Sequence, residues 1–271
     1  MRALEAPLLL TKRDSLPDET RAEITRLRAT KVYIIGGTPT ISATVASQVD
    51  AMPGVSIERI AGADRYETSA IIARRLQDIM GYGLVFRGVF TRGDNFPDAL
   101  SVGPVAAGAL APIFLVRTDS VPASVASAVN DLDIRRGYVI GDIHSVSAAA
   151  YERLKDLIVA NSGYSPYIER SAGANRYETA CAVIDRGIAN RWIDLDTLGV
   201  AVGTKFPDAL GGGAALGYYG SAIILTDGTM LSGPTNNFLT NHEYEIGRVD
   251  VFGDANSVSA AVYDTIRAKI K

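Results

Sequence analysis

Apolar residues in this chain fall into short unbroken runs. Between the runs lie longer stretches in which apolar residues recur every three or four positions. The runs at 8–11, 32–35, 57–60, 89–92, 113–116 and 138–140 predict strands. The stretches between them predict helices at 17–27, from Ser42 onward, and at 64–79, 97–109, 122–132 and 146–158. After a bridge at 164–167 the same order returns from Ile168 to Ile270. Strands that are apolar throughout and alternate with helices predict mostly parallel sheets covered on both faces. The fold class is therefore α/β, in three-layer style. Spacing leaves strand order open, with right-handed crossovers as the default.

The elements repeat because the sequence does. Ile57-Glu-Arg-Ile-Ala-Gly-Ala-Asp-Arg-Tyr-Glu-Thr68 recurs 111 positions later as Ile168-Glu-Arg-Ser-Ala-Gly-Ala-Asn-Arg-Tyr-Glu-Thr179. Phe96-Pro-Asp-Ala-Leu100 recurs as Phe206-Pro-Asp-Ala-Leu210. Leu8-Leu-Leu-Thr11 has relatives at Ile113 and Ile223, and Tyr33-Ile-Ile-Gly36 has relatives at Tyr138 and Val251. A period of about 110 residues is a domain rather than a solenoid module. The divisions are 1–55, a partial unit lacking its first half, then 56–165 and 166–271, each complete. The first unit starts in mid-domain, which reads as an excised segment or a misplaced start, with a natural partial unit completed by another chain as the alternative. Half a sheet would otherwise expose an apolar edge.

A formal net charge of -3 gives no global attraction for nucleic acid or for an acidic membrane surface. No run is long and apolar enough to span a bilayer, and no leader pattern precedes Pro7. Cys181 is the single cysteine and reads as a small apolar filler on a helix, with a reactive thiol as the alternative. His144 and His242 lie at non-equivalent positions and form no site. Acidic spacing matches no calcium loop, so neither metal nor cofactor is expected. Gly36-Gly37 and Gly93 read as tight turns, because no Walker or dinucleotide fingerprint accompanies them.

Asp64 with Glu67, and Asn175 with Glu178, have the spacing of capping boxes. Asn replaces Asp as a cap but not as an acid, which favours capping over catalysis at Asp64. Arg65 and Arg176 sit at the wrong end of a helix dipole and should have an outside partner. Asp98 and Asp208 are the expected carboxylates, with an anionic ligand as the alternative. The small residues of 99–111 and 209–220 read as close packing of a helix.

Together these elements resemble the cell wall binding repeat type 2 family of Gram-positive surface proteins, over nearly the whole chain. The resemblance implies Rossmann-like or toprim-like units in a pseudo-threefold arrangement. It implies non-covalent anchoring to an anionic secondary cell wall polymer, outside the cell, with no enzymatic activity in the module. Effector domains would be attached separately. Carried over by residue, the motif positions are Gly62, Asp64, Arg65, Tyr66, Glu67, Phe96, Pro97 and Asp98. In the last unit they are Gly173, Asn175, Arg176, Tyr177, Glu178, Phe206, Pro207 and Asp208. Asn175 and Lys205 depart from the family's Asp and Asn. Arg65, Tyr66, Arg176 and Tyr177 are the polymer-binding candidates, because arginine forks onto phosphate or carboxylate and tyrosine adds an amphipathic contact. Other copies of the module are further possible partners. The competing readings are a homotypic assembly or adhesion domain and a hydrolase of wall glycan or phosphate ester.

Overall fold

A computed structural model describes residues 2–162 and 167–270. The first unit holds a helical turn at Arg2–Leu4, α1 (Asp18–Arg26), β1 (Lys31–Ile35), α2 (Ala43–Asp50) and β2 (Ser56–Ile60). The second runs through α3 (Arg65–Met80), β3 (Arg87–Arg92), α4 (Pro97–Gly108), β4 (Ile113–Val116), α5 (Ala123–Asp131), β5 (Arg136–Ile140), α6 (Ala148–Ser162) and β6 (Tyr167–Ser171). The third comprises α7 (Arg176–Ala189), β7 (Thr197–Val202), α8 (Pro207–Tyr219), β8 (Ala222–Thr226), α9 (Gly233–Asn241), β9 (Arg248–Phe252) and α10 (Ala260–Lys269). Every strand pair among the described residues is parallel. The chain is thus three tandem α/β modules.

The sheets are ordered β1-β2, β4-β3-β5-β6 and β8-β7-β9. They are offset from the sequence repeat. The Ile-Glu-Arg run that opens a repeat is β2 or β6, and each pairs backwards with the sheet of the preceding unit. Tyr33 faces Glu58 across β1 and β2, and Tyr138 faces Glu169 across β5 and β6. The motif that begins one copy therefore completes the layer before it.

The apolar run 8–11 does not form the expected strand. Its counterparts β4 and β8 pair with β3 and β7, and the described residues of the first unit contain no such neighbour. An extended segment with no ladder partner leaves its backbone to water and loops, however apolar its side chains. The bridge expected at 164–167 lies outside the described residues except for Tyr167, which opens β6.

Alternation along the strands sends side chains to two faces. Phe90, Phe114, Val116 and Val139 face a core closed by helices α3, α5 and α6. Val89, Tyr138 and Ile140 face the opposite way, into a core shared with Val183, Ile184, Leu198 and Val200 of the third unit. Helix α4 lies at this junction, and its small residues are the reason. Gly213 of α8 faces Pro104, and a Cβ on Gly217 would come within 2.9 Å of the Ala107 Cβ. A Cβ on Gly108 would collide with the Trp192 carbonyl. The expected close packing is thus helix against helix across the unit boundary.

Candidate functional site

The Ala-Gly-Ala-Asp/Asn-Arg-Tyr-Glu-Thr element forms the turn from a strand end into α3 or α7. Asp64 Oδ1 accepts from the Glu67 N–H at 2.8 Å, and Glu67 Oε2 accepts from the Ala63 N–H at 2.6 Å. In the last unit Asn175 Oδ1 accepts from Tyr177 and Glu178 N–H groups, both at 3.0 Å, and Glu178 Oε2 accepts from Ala174 N–H at 2.9 Å. Asp64 and Asn175 cap their helices as expected, while each glutamate reaches back to the N–H one residue before the cap rather than to that of the cap itself. Gly62 and Gly173 are required by crowding. A Cβ on Gly62 would lie 2.5 Å from Glu67 Cγ, and one on Gly173 would strike Glu178.

The arginines take a different partner from the one expected. Arg65 Nη1 donates to the Gly93 carbonyl at 2.6 Å, and Arg176 Nη1 donates to the Gly203 carbonyl at 2.5 Å. Neither the Arg65–Asp98 nor the Arg176–Asp208 ion pair is among the ion pairs of the described residues. Each guanidinium is held instead by the carbonyl just past the end of β3 or β7. Each tyrosine ring lies over the same glycine: a Cβ at Gly93 would meet Tyr66 Cε1 at 2.7 Å, and one at Gly203 would meet Tyr177 Cε1 at 2.9 Å. Glycine is thus what lets the Arg-Tyr pair close over the strand end.

The two Arg-Tyr corners differ in charge. Arg117 lies over the Tyr66 ring, 5.1 Å from its centroid. Asp227 stands at the corresponding place beside Tyr177, whose hydroxyl is pushed up by burial and then by that carboxylate.

The Phe-Pro-Asp element begins α4 and α8, with proline in the first turn. Phe96 and Phe206 meet edge to face with centroids 5.9 Å apart, so the two copies touch across the unit boundary. Asp98 turns toward the loop after β5, where the sheet order reverses between β3 and β5. That reversal is the usual ligand crevice of an open parallel sheet, and here a carboxylate of the protein enters it. Gly141 has φ +101°, and a Cβ there would lie 2.6 Å from Asp98 Oδ2. Gly253 repeats this, with φ +117° and Asp208 Oδ2 at 2.8 Å. Burial raises the Asp98 pKa, and Asp142 adds to the rise. The Ser145 hydroxyl, Arg92 and Arg176 act in the opposite direction. The motif arginine that Asp98 feels is thus the one from the following repeat.

Four residues of the repeated run were not singled out from sequence. Arg170 donates from Nη1 to the Gly141 carbonyl at 2.6 Å and the Asp142 carbonyl at 2.9 Å, and from Nη2 to the Val146 carbonyl at 2.8 Å. Arg59 donates to the Gly36 carbonyl at 2.7 Å. Glu58 pairs with Lys31 at 2.6 Å and Arg75 at 3.3 Å, while Glu169 pairs with Arg186 at 2.9 Å. The signal was a Glu-Arg pair inside an otherwise apolar strand, written twice.

Elsewhere the chemistry is quiet. The Cys181 thiol packs against the shared core and is pushed up to about 12 by burial, which makes it a poor nucleophile. His144 is exposed. His242 does more than sit in a loop: it ends α9, packs tilted against Phe238 with ring centroids 4.3 Å apart, and lies 3.6 Å from Asp185 and 3.3 Å from Glu245. No cluster of three or more metal-ligating side chains occurs among the described residues.

Known proteins share this arrangement. The family described as cell wall binding domain 2 (CWB2) matches residues 59–151 and 170–263. Among curated relatives, the N-acetylmuramoyl-L-alanine amidase LytC of Bacillus subtilis (strain 168) is 29% identical, over 97% of this chain and 48% of its own length. The amidase enhancer of the same organism is 26% identical, over 98% of this chain and 34% of its own length. The chain thus spans less than half of each curated relative. Cwp6 from Clostridium difficile superposes with a TM-score of 0.85 at 27% identity, covering 98% of this chain and 40% of that one. Cwp8 gives a TM-score of 0.80 at 27% identity, with 99% and 44% covered. Both capping boxes and both Phe-Pro-Asp elements lie inside the matched segments, and on that match the chain belongs to the cell wall binding domain 2 family.

Proposed function

We propose that this chain holds a longer surface protein non-covalently to an anionic secondary polymer of a Gram-positive cell wall, with Arg65, Tyr66, Arg176 and Tyr177 as contacts. The observation that carries the reading is the repeated Arg-to-glycine bond. Each arginine fixes one nitrogen on a strand-end carbonyl and holds the rest of its guanidinium at a helix N-terminus, where anions are favoured. Net charge repels a polyanion, so local sites of this kind have to supply the attraction. Two equivalent corners on one polymer also bind with avidity.

The units would sit around a pseudo-threefold axis. The turn Arg2–Leu4 contacts α3 and α8, and α4 contacts α7 and α8, which supports that arrangement. The hydrolase reading is weaker, because Glu67, Glu178 and Asp98 are already committed to caps and to the glycine loop. Sedimentation with purified walls, with and without extraction of secondary polymer, tests the proposal. Co-sedimentation with intact walls and loss after extraction are expected. Equal partition into the soluble fraction in both arms would overturn it.

A further inference from the structure

We propose that the free edge of β9 is a receptor for a fourth parallel strand of the Ile-Glu-Arg type, donated by another repeat. The chain shows this contact twice. Strand β2 adds to β1, and β6 adds to β5, each in parallel and in the same register. In both cases the glycine N–H after the receiving strand donates to the added strand: Gly36 to the Ile60 carbonyl at 2.9 Å, Gly141 to the Ser171 carbonyl at 3.0 Å. In both cases the arginine of the added strand donates to that glycine's carbonyl. Among the described residues the sheet β8-β7-β9 ends at β9, and no such strand lies beside Gly253.

Every other part of the receptor is in place. Gly253 keeps the positive φ of Gly36 and Gly141, at +117° against +113° and +101°. Carbonyls of Gly253, Asp254 and Val258 stand where Gly141, Asp142 and Val146 receive Arg170. Tyr263 stands where Tyr151 lies 5.1 Å from the Arg170 guanidinium and donates its hydroxyl to the Ile168 carbonyl at 3.1 Å. Tyr263 is 50% exposed, whereas Tyr151 is largely covered. Four of the five residues of β5 are buried and none of β9 is; likewise Gly141 is buried and Gly253 exposed. The missing cover lies where β6 lies in the second unit.

Charge on the edge sets the selectivity. Arg248 occupies the register position of Lys31, which holds Glu58 at 2.6 Å, and it is now turned onto Asp250 at 2.7 Å. Such charges discourage unspecific strand addition. In the same register an incoming glutamate would lie opposite Asp250, as Glu58 and Glu169 lie opposite Tyr33 and Tyr138, so Arg248 has to turn from Asp250 onto it for the strand to seat. Main-chain bonds would give affinity, and the Arg-to-carbonyl cluster would give register.

Adding a peptide of residues 166–173 to the full chain and following hydrogen exchange tests the proposal. Slowed exchange at residues 249–253 is expected. A peptide with alanine in place of Arg170 should bind about tenfold more weakly, the usual scale for a lost charged hydrogen bond. The exposed substitution Tyr263→Ala on the chain should also weaken binding without unfolding it. No protection at 249–253, or equal protection by a scrambled peptide, overturns the assignment. So does protection confined to β1 or β5.

Discussion

Glu169 of β6 and Arg186 of α7 form a 2.9 Å ion pair that ties the strand closing one sheet to the helix opening the next unit. Glu58 and Arg75 repeat it 111 residues earlier, but Glu58 also has Lys31. The two copies should therefore respond unequally. Arg186→Ala leaves a half-buried carboxylate without its cation and should cost about 1–2 kcal/mol in denaturant unfolding. Arg75→Ala should cost less, because Lys31 remains. An equal or reversed order would show that the shared partner does not compensate.

The Arg-Tyr corners should separate binding from stability. Arg65→Ala removes one exposed hydrogen bond and should shift the melting temperature little, while lowering wall retention and its sensitivity to salt. Asp227→Arg reproduces in the third unit the cation that Arg117 supplies in the second. It should strengthen wall retention at low salt. Unchanged retention in a folded Arg65→Ala/Arg176→Ala variant would remove these arginines from the binding site.

Asp98 gives a pH dependence of defined sign. Its pKa is raised by burial, so the folded state holds the proton more tightly than the unfolded state does. The resulting stabilisation is fully present below the unfolded carboxylate value, near ~3.9. It is lost as pH rises through the folded value. Wild type should therefore gain stability relative to Asp98→Asn between pH 7 and about pH 4. Paired unfolding curves at the two pH values check this, and a wild-type advantage that shrinks on acidification contradicts it.

Helix α8 offers a paired test of close packing. A Cβ on Gly211 meets nothing within 4 Å, whereas one on Gly212 would lie 2.5 Å from the Phe252 ring. Gly211→Ala should stabilise by about 0.4–1 kcal/mol through the unfolded chain. Gly212→Ala should destabilise by roughly 1–3 kcal/mol through overpacking. Thermal melts of the two single variants distinguish them.

Much of the fold was legible because its central strands β3, β5, β7 and β8 are largely buried and several of its helices begin with side chains that cap them. Asp64 and Asn175 announce α3 and α7 in sequence, and they do so again in hydrogen bonds. The run 8–11 misled because apolarity marks burial, whereas a strand also needs a neighbour. The partner of Arg65 was hidden for another reason. A backbone carbonyl carries no residue identity, so Gly93 could not compete on paper with Asp98. The roles of Arg59 and Arg170 required knowing that a repeat donates its first strand backwards, which sheet order alone reveals.

That backward donation also decides how the chain bears a load. Tension drawn along the polypeptide passes from the second unit to the third through β6. This strand lies parallel to β5, from Tyr167 beside Arg136 to Ser171 beside Ile140. A strand pulled along its own length must slide, so its ladder bonds break together rather than one by one. The grip of Arg170 on three carbonyls opposes the same displacement. Under a load along β6, the ladder and the arginine would thus resist together at this seam between the units.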